Sequence, residues 1–266
     1  MVKGLLLAIQ FLTIIPVRLR GEVTERQVSN SGVFFPVAGA LQGLVVSFGA
    51  FVLVRILPVD LVSGLAVLLL IGTNGGFHLD GLADTFDALA VKSVGDNAVD
   101  RQKRLSVMKD SATGAIGVTA IVLAVVLKYL LIASLFGKYD AKGTAYLLFL
   151  MPVFSKWAMI PVMAHSSPAR DGGLGKMFVD GTGPRSILIS SFLLLAIYAV
   201  VAFFAGLQSF PAAIGFLCLS VLSLYAFGLL WVCLCRRKFG GLTGDTAGAV
   251  GEICDLWFLS IALLFF

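Results

Sequence analysis

Seven stretches of this chain are apolar for long enough, or nearly so, to cross about 30 Å of hydrocarbon: 33–57, 61–77, 114–136, 143–163, 186–206, 211–235 and 249–266. Their hydrophobic residues are continuous rather than alternating, which excludes barrel strands and predicts an all-α polytopic transmembrane bundle. The second and last are short for a span. A further apolar stretch, Gly4 to Val17, would rise only about 21 Å as a helix, so it predicts an interfacial or re-entrant helix. A secretory signal peptide with Lys3 as its charged region competes with that reading, but Arg18 and Arg20 follow in place of a small-residue cleavage site. No repeat, low-complexity tract or linker divides the chain, so residues 1–266 are expected to form one integral-membrane domain.

Composition agrees. Of 266 residues 59% are hydrophobic and 13% charged, with a mean hydropathy of +0.99, whereas a soluble domain has about a quarter of its residues charged. The lipid bilayer is the expected partner, and no nucleic acid is. If the seven stretches cross in turn, fifteen of the 20 Lys and Arg fall on one side and only Lys138 and Lys142 on the other, leaving Arg55, Lys128 and Lys156 within spans. The positive-inside rule then predicts a cytoplasmic N-terminus and an external C-terminus. Cys218, Cys233, Cys235 and Cys254 lie in or beside apolar stretches without CxxC spacing, so neither zinc nor a disulfide framework is indicated.

The chemistry concentrates where Gly75-Gly76-Phe77-His78-Leu79-Asp80-Gly81-Leu82-Ala83-Asp84-Thr85-Phe86-Asp87 follows the second stretch. On a helix, Asp84 and Asp87 point within about 40° and 20° of Asp80, so three carboxylates share one face. Three like charges so placed repel one another unless a cation lies among them. Oxygen-only ligands favour Mg²⁺ completed by waters and substrate phosphates. The plainer alternative is a solvated helix end. On the predicted topology this face is cytoplasmic.

Two other segments carry charge toward the same side. Arg104, Lys109 and Asp110 lie at the mouth of the third stretch, where the bases suit phosphate and Asp110 suits a metal ligand or general base; a stop signal with Asp110 as helix cap fits equally. Gly240-Gly241-Leu242-Thr243-Gly244-Asp245-Thr246-Ala247-Gly248 resembles a glycine-rich loop opening a helix and offering its amides to an anion, although Thr243 or Asp245 could simply be an N-cap. Glu252 and Asp255, beyond it, need a partner inside the bilayer: they face the site, or Glu252 pairs with a base such as Lys156. The loop Arg170-Asp171-Gly172-Gly173 onward has the glycine-rich, charged character of a substrate-binding loop or lid, which by itself establishes only a flexible cytoplasmic segment, and His165 is given no role.

These blocks, in this order, resemble the cobalamin synthase family, the adenosylcobinamide-GDP ribazoletransferases of late vitamin B12 synthesis. The resemblance runs nearly end to end: Phe11-Leu12-Thr13 with Pro16, Phe35-Pro36 with Gly39, the aspartate block, Met108-Lys109-Asp110-Ser111 with Gly114 and Gly117, Gly173-Leu174-Gly175 with Phe178, and Gly241-Leu242-Thr243-Gly244-Asp245-Thr246 with Gly248 and Glu252. Family members often carry Gly, Arg and Gln where this chain has Ala88, Lys109 and Leu242; none of these is a proposed metal ligand.

The resemblance implies a Mg²⁺-dependent inner-membrane enzyme that joins adenosylcobinamide-GDP to α-ribazole or its 5′-phosphate, giving adenosylcobalamin or its phosphate and GMP. It implies that Asp80, Asp84 and Asp87 hold metal, that one of these acids or Asp110 takes the hydroxyl proton, and that His78, Arg104, Lys109, Thr243, Asp245 and Thr246 contact substrate. A homo-oligomer and contacts with other enzymes of the cobamide pathway are compatible with it. Clustered aspartates that expel a nucleotide also occur in membrane CDP-alcohol phosphotransferases, an analogy of mechanism and not of fold. A polytopic secondary transporter is the alternative class, distinguished by acids near the bilayer midplane rather than toward one surface.

Overall fold

The computed structural model describes residues 2–19, 21–205 and 210–265; Arg20 and the predicted span ends at 206 and 266 lie outside them. Among the described residues the regular structure is helical throughout: α1 (Val2–Leu12), α2 (Glu25–Ser31), α3 (Phe35–Leu53), α4 (Val59–Asn74), α5 (Phe77–Ala90), α6 (Asn97–Val107), α7 (Ala115–Lys138), α8 (Ala141–Ala164), α9 (Leu174–Gly181), α10 (Pro184–Ala205), α11 (Phe210–Phe239) and α12 (Gly244–Phe265).

Six of these are long and apolar enough to cross a membrane: α3, joined to α2 through a 3₁₀ turn, and α7, α8, α10, α11 and α12. Helices α4 and α5 pass that test only as a pair, and the pair is bent by 90°. Gly75 and Gly76 make the bend, with φ of 66° and 76° in the left-handed region that a side chain resists. Counted as one bent span, the pair brings the number to the predicted seven, with α5 beyond its 90° turn. Chain parity then gathers α1, α2, α5, α6, α9 and the loop before α12 at one end, where α2 packs on α9, α6 on α5 and α11, and α9 on α12.

Two predicted boundaries shift for one reason. Helix α12 begins at Gly244 rather than 249, and α11 runs to Phe239 rather than 235. A search for uninterrupted apolar residues stops at the polar first turn of α12 and at Arg236 to Lys238. Bases are favourable at a helix C-terminus, where they face the negative end of the dipole.

Helix α8 is the centre of the bundle, buried almost without interruption from Leu147 to Met163 and packed by α3, α12, α10 and α11. Gly39 and Gly43 let α3 approach it: a Cβ on either would lie 2.3 Å from the Pro152 oxygen or 2.2 Å from the Phe149 oxygen. This is the small-xxx-small contact that draws helices together in lipid by backbone packing. Across the bundle, Lys128 of α7 donates to Glu252 and to Asp255 of α12, the latter at 2.9 Å, with all three side chains buried. Of the two readings of Glu252, pairing with a base within the bundle is the one formed, and the base is Lys128 of α7 rather than Lys156 of α8. Among the described residues, the Lys156 Nζ is buried without a hydrogen-bond partner.

Candidate active site

The aspartate block is helical, as its spacing predicts, and α5 carries Asp80 exposed with Asp84 and Asp87 partly buried. The first turn of α12 is laid across it. A Cβ on Gly81 would lie 2.7 Å from the Asp245 oxygen and 3.1 Å from its Cα, so only glycine permits this contact. Partial burial, then the charges of Asp80, Asp245 and Asp87, push the Asp84 carboxyl up to about 6, and Arg170 draws it down. Asp84 thus sits in a field of three further acids and one base.

Arg170, not singled out within its glycine-rich loop by the sequence, is the base that meets this acidic face. Its Nη1 lies 3.6 Å from Asp245 Oδ2, and its Nη2 donates to the Leu105 oxygen at 3.3 Å. A short parallel bridge holds it there: Leu242 donates to the Ser167 oxygen at 2.8 Å and Ala169 to the Leu242 oxygen at 3.0 Å. Gly241 allows the two loops to touch, since a Cβ there would lie 2.3 Å from the Ser167 oxygen. The only sequence signal was a basic residue opening a glycine-rich loop.

Thr243 and Thr246 form a reciprocal cap. Thr246 N–H donates to Thr243 Oγ1 at 3.1 Å and Thr243 N–H donates to Thr246 Oγ1 at 2.9 Å, satisfying two amides at the start of α12. Of the two N-cap candidates the structure selects Thr243, which leaves the Asp245 carboxylate to face Arg170. Both threonines are buried.

The remaining predicted residues have other neighbours. Asp87 accepts from Gly114 N–H at 2.6 Å and Gly117 N–H at 2.8 Å, so its two oxygens cap α7 while its charge still reaches Asp84. Arg104 is buried and its Nη1 donates to the Lys238 oxygen at 3.4 Å, bracing α6 against the end of α11. Lys109 and Asp110 are exposed, Asp110 accepting from Ala112 N–H at 3.1 Å, and the adjoining Met108 carries this turn to Thr243, whose hydroxyl lies 3.8 Å from its sulfur. His78 is buried between α5 and α12 beside Gly248 and Gly251. His165 shares a 2.6 Å hydrogen bond with the Tyr225 hydroxyl. Among the described residues, no three His, Cys, Asp or Glu side chains converge closely enough to enclose a metal by themselves.

The arrangement is an open acidic face with one arginine and a glycine loop beside it, suited to a phosphate-bearing substrate that brings its own oxygen ligands. The family model for cobalamin-5-phosphate synthase matches residues 4–263. Proteins named adenosylcobinamide-GDP ribazoletransferase are similar over nearly their whole length. That of Thermodesulfovibrio yellowstonii is 34% identical over 266 residues, covering 99% of this chain and 97% of its own. That of Geotalea daltonii is 34% identical over 260 residues, covering 96% and 95%. That of Syntrophobacter fumaroxidans is 35% identical over 266 residues, covering 96% of each. No solved structure matches the chain. On a match that takes in every element of the site, the chain belongs to the cobalamin-5-phosphate synthase family.

Proposed function

We propose that this protein carries out the transfer for which its relatives are named: adenosylcobinamide-GDP and α-ribazole, or α-ribazole 5′-phosphate, give adenosylcobalamin or its 5′-phosphate and GMP. The observation that carries this reading is the seating of Asp245 on Gly81, which brings the acids of α5, the glycine loop and Arg170 to one surface. In the reaction the ribazole 3′-hydroxyl attacks the cobinamide-linked phosphorus, a new P–O bond forms, and the bond to the GMP phosphate breaks. An aspartate of this face accepts the hydroxyl proton. Arg170 offers fixed positive charge to the diphosphate oxygens, and Lys109 extends from the neighbouring turn for the same purpose.

The donor set fits Mg²⁺. Asp80 and Asp84 are the residues we assign to it, one turn apart on α5, and the raised Asp84 carboxyl marks excess negative charge that a cation would relieve. When bound, the ion supplies charge neutralisation at the phosphate oxygens. Waters and those oxygens would complete its coordination. The acid-bearing end is assigned to the cytoplasm, on the side of the inner membrane where fifteen of the 20 basic residues gather.

The test is direct. Purified protein in detergent, given adenosylcobinamide-GDP, α-ribazole and Mg²⁺, should release one GMP per cobamide formed. No GMP with all components present would sink the assignment. Inversion at phosphorus in a chiral-phosphate substrate is expected for one displacement, and retention would indicate a covalent phospho-enzyme.

A further inference from the structure

Beside the glycine loop lies a cavity of about 40 Å³, walled by Phe11 of α1, Phe35 of α3, Phe77 of α5, Phe178 of α9 and Met159 and Met163 of α8, with Thr243 and Gly244 forming its edge. The rings make one cluster: Phe11 and Phe178 are 4.7 Å apart between centroids, Phe35 meets Phe178 edge-on at 5.4 Å, and Phe77 meets Phe11 edge-on at 6.0 Å. Such a wall of ring faces, ring edges and thioether sulfurs selects a flat, apolar, aromatic ligand. His78 is the one ionisable side chain in the lining, so a phosphate, or a base needing several hydrogen bonds, would be left unpaired.

We propose that this cavity receives the bicyclic benzimidazole base of the acceptor nucleoside; the inference rests on the ribazole transfer proposed above. Of the parts of the two substrates, corrin amides, guanine, diphosphate, sugars and dimethylbenzimidazole, only the last matches such a lining. Its place also matches, because Gly244 on the cavity edge precedes Asp245, and a ribose attached to a ring seated here would emerge beside the acids. As it stands the cavity holds roughly three waters by volume, less than the ring, so entry requires widening. The rim permits it: Phe77 and Leu174 are about half exposed, at 50% and 47%, whereas Phe35, Phe178, Met159 and Met163 are buried.

The experiment uses the whole protein in detergent and two readouts, equilibrium dialysis of free 5,6-dimethylbenzimidazole and the KM values of both substrates. Wild type should bind the free base in competition with α-ribazole. Phe178→Ala should weaken base binding and raise the α-ribazole KM by about tenfold, leave the adenosylcobinamide-GDP KM unchanged, and lessen the preference for the benzimidazole riboside over its adenine analogue. Phe178→Leu and Phe77→Ala, which disturb packing less, should shift the same ratio in the same direction and decide the matter if Phe178→Ala does not fold. Folded variants with unchanged base binding and unchanged KM ratio would overturn the subsite. Base binding without any GMP release would refute the transfer reaction while supporting an aromatic subsite, and normal transfer without base binding would refute the subsite alone.

Discussion

Gly81 of α5 and Asp245 of α12 meet main chain to main chain, so that a methyl group added to Gly81 would lie 2.7 Å from the Asp245 oxygen. One contact thus sets the spacing between the acid-bearing helix and the glycine loop. Gly81→Ala should force the two apart and lower turnover by about two orders of magnitude, the effect of misplacing a reacting group by about an ångström. The stability loss should be about 1–3 kcal/mol, as for other overpacked contacts. Turnover and thermal melting on one preparation check both, and a near-normal rate would show that this spacing does not matter.

Asp80→Asn and Asp84→Asn should each reduce turnover by about three orders of magnitude or more while leaving the protein folded, since charge is removed at almost constant volume. Chelator should abolish the wild-type rate and Mg²⁺ should restore it. Either variant keeping most of the wild-type rate would remove that residue from the metal assignment.

Asp84 also predicts a pH dependence whose sign can be worked out. Its carboxyl is pushed from 3.8 to about 6 on folding, so between those values the folded chain holds more protons than the unfolded one. This contribution to stability is fully present below 3.8 and is lost as pH rises through about 6. Without divalent cations the melting temperature should therefore fall between pH 5 and 7 by more in wild type than in Asp84→Asn. Adding Mg²⁺ at pH 7 should raise the wild-type value and leave the variant little changed. Equal pH slopes for the two proteins would contradict the charge crowding.

Local features were legible in the sequence, and contacts between distant segments were not. Continuous apolar runs fix the crossing helices because a helix rises 1.5 Å per residue, and the spacing of Asp80, Asp84 and Asp87 fixes their shared face. Sequence could not say which helix faces Glu252: Lys128 and Lys156 both lie inside spans, and only the packing order of α7, α8 and α12 selects the first. Arg170 reaches Asp245 through a bridge between residues 167–169 and Leu242, a pairing that no periodicity announces. Asp87 and Arg104 have the residue types of a phosphate or metal site, but helix ends also attract them: Asp87 meets free amides of α7, and Arg104 meets a carbonyl of α11.

The two roles open to the segment from Thr243 to Thr246 can now be separated by mutation. Thr243 is the cap, so Thr243→Val should lower stability by about 1 kcal/mol. Asp245 faces Arg170 instead, so Asp245→Asn and Arg170→Ala should lower turnover by at least tenfold with little change in melting temperature, because a partly exposed pair 3.6 Å apart contributes little to stability. A large drop in melting temperature for Asp245→Asn, with normal turnover, would return the aspartate to a structural role.

Inside the bilayer, Lys128 holds Glu252 and Asp255 of α12, and removing one member of such a set leaves charge buried without compensation. Lys128→Met should therefore destabilise the protein by about 3–5 kcal/mol, whereas Lys128→Met combined with Glu252→Gln and Asp255→Asn should recover much of that loss. Lys156→Met should cost less than Lys128→Met, since among the described residues the Lys156 ammonium has no hydrogen-bond partner while that of Lys128 is bonded to both acids. Because α12 also carries Asp245 onto Gly81, loosening this clamp should lower turnover in parallel with stability, and the triple variant should restore both together. Denaturation in detergent and GMP release across the three variants measure this; a triple variant that regains stability without activity would show that the buried charges act on the site beyond holding α12 in place.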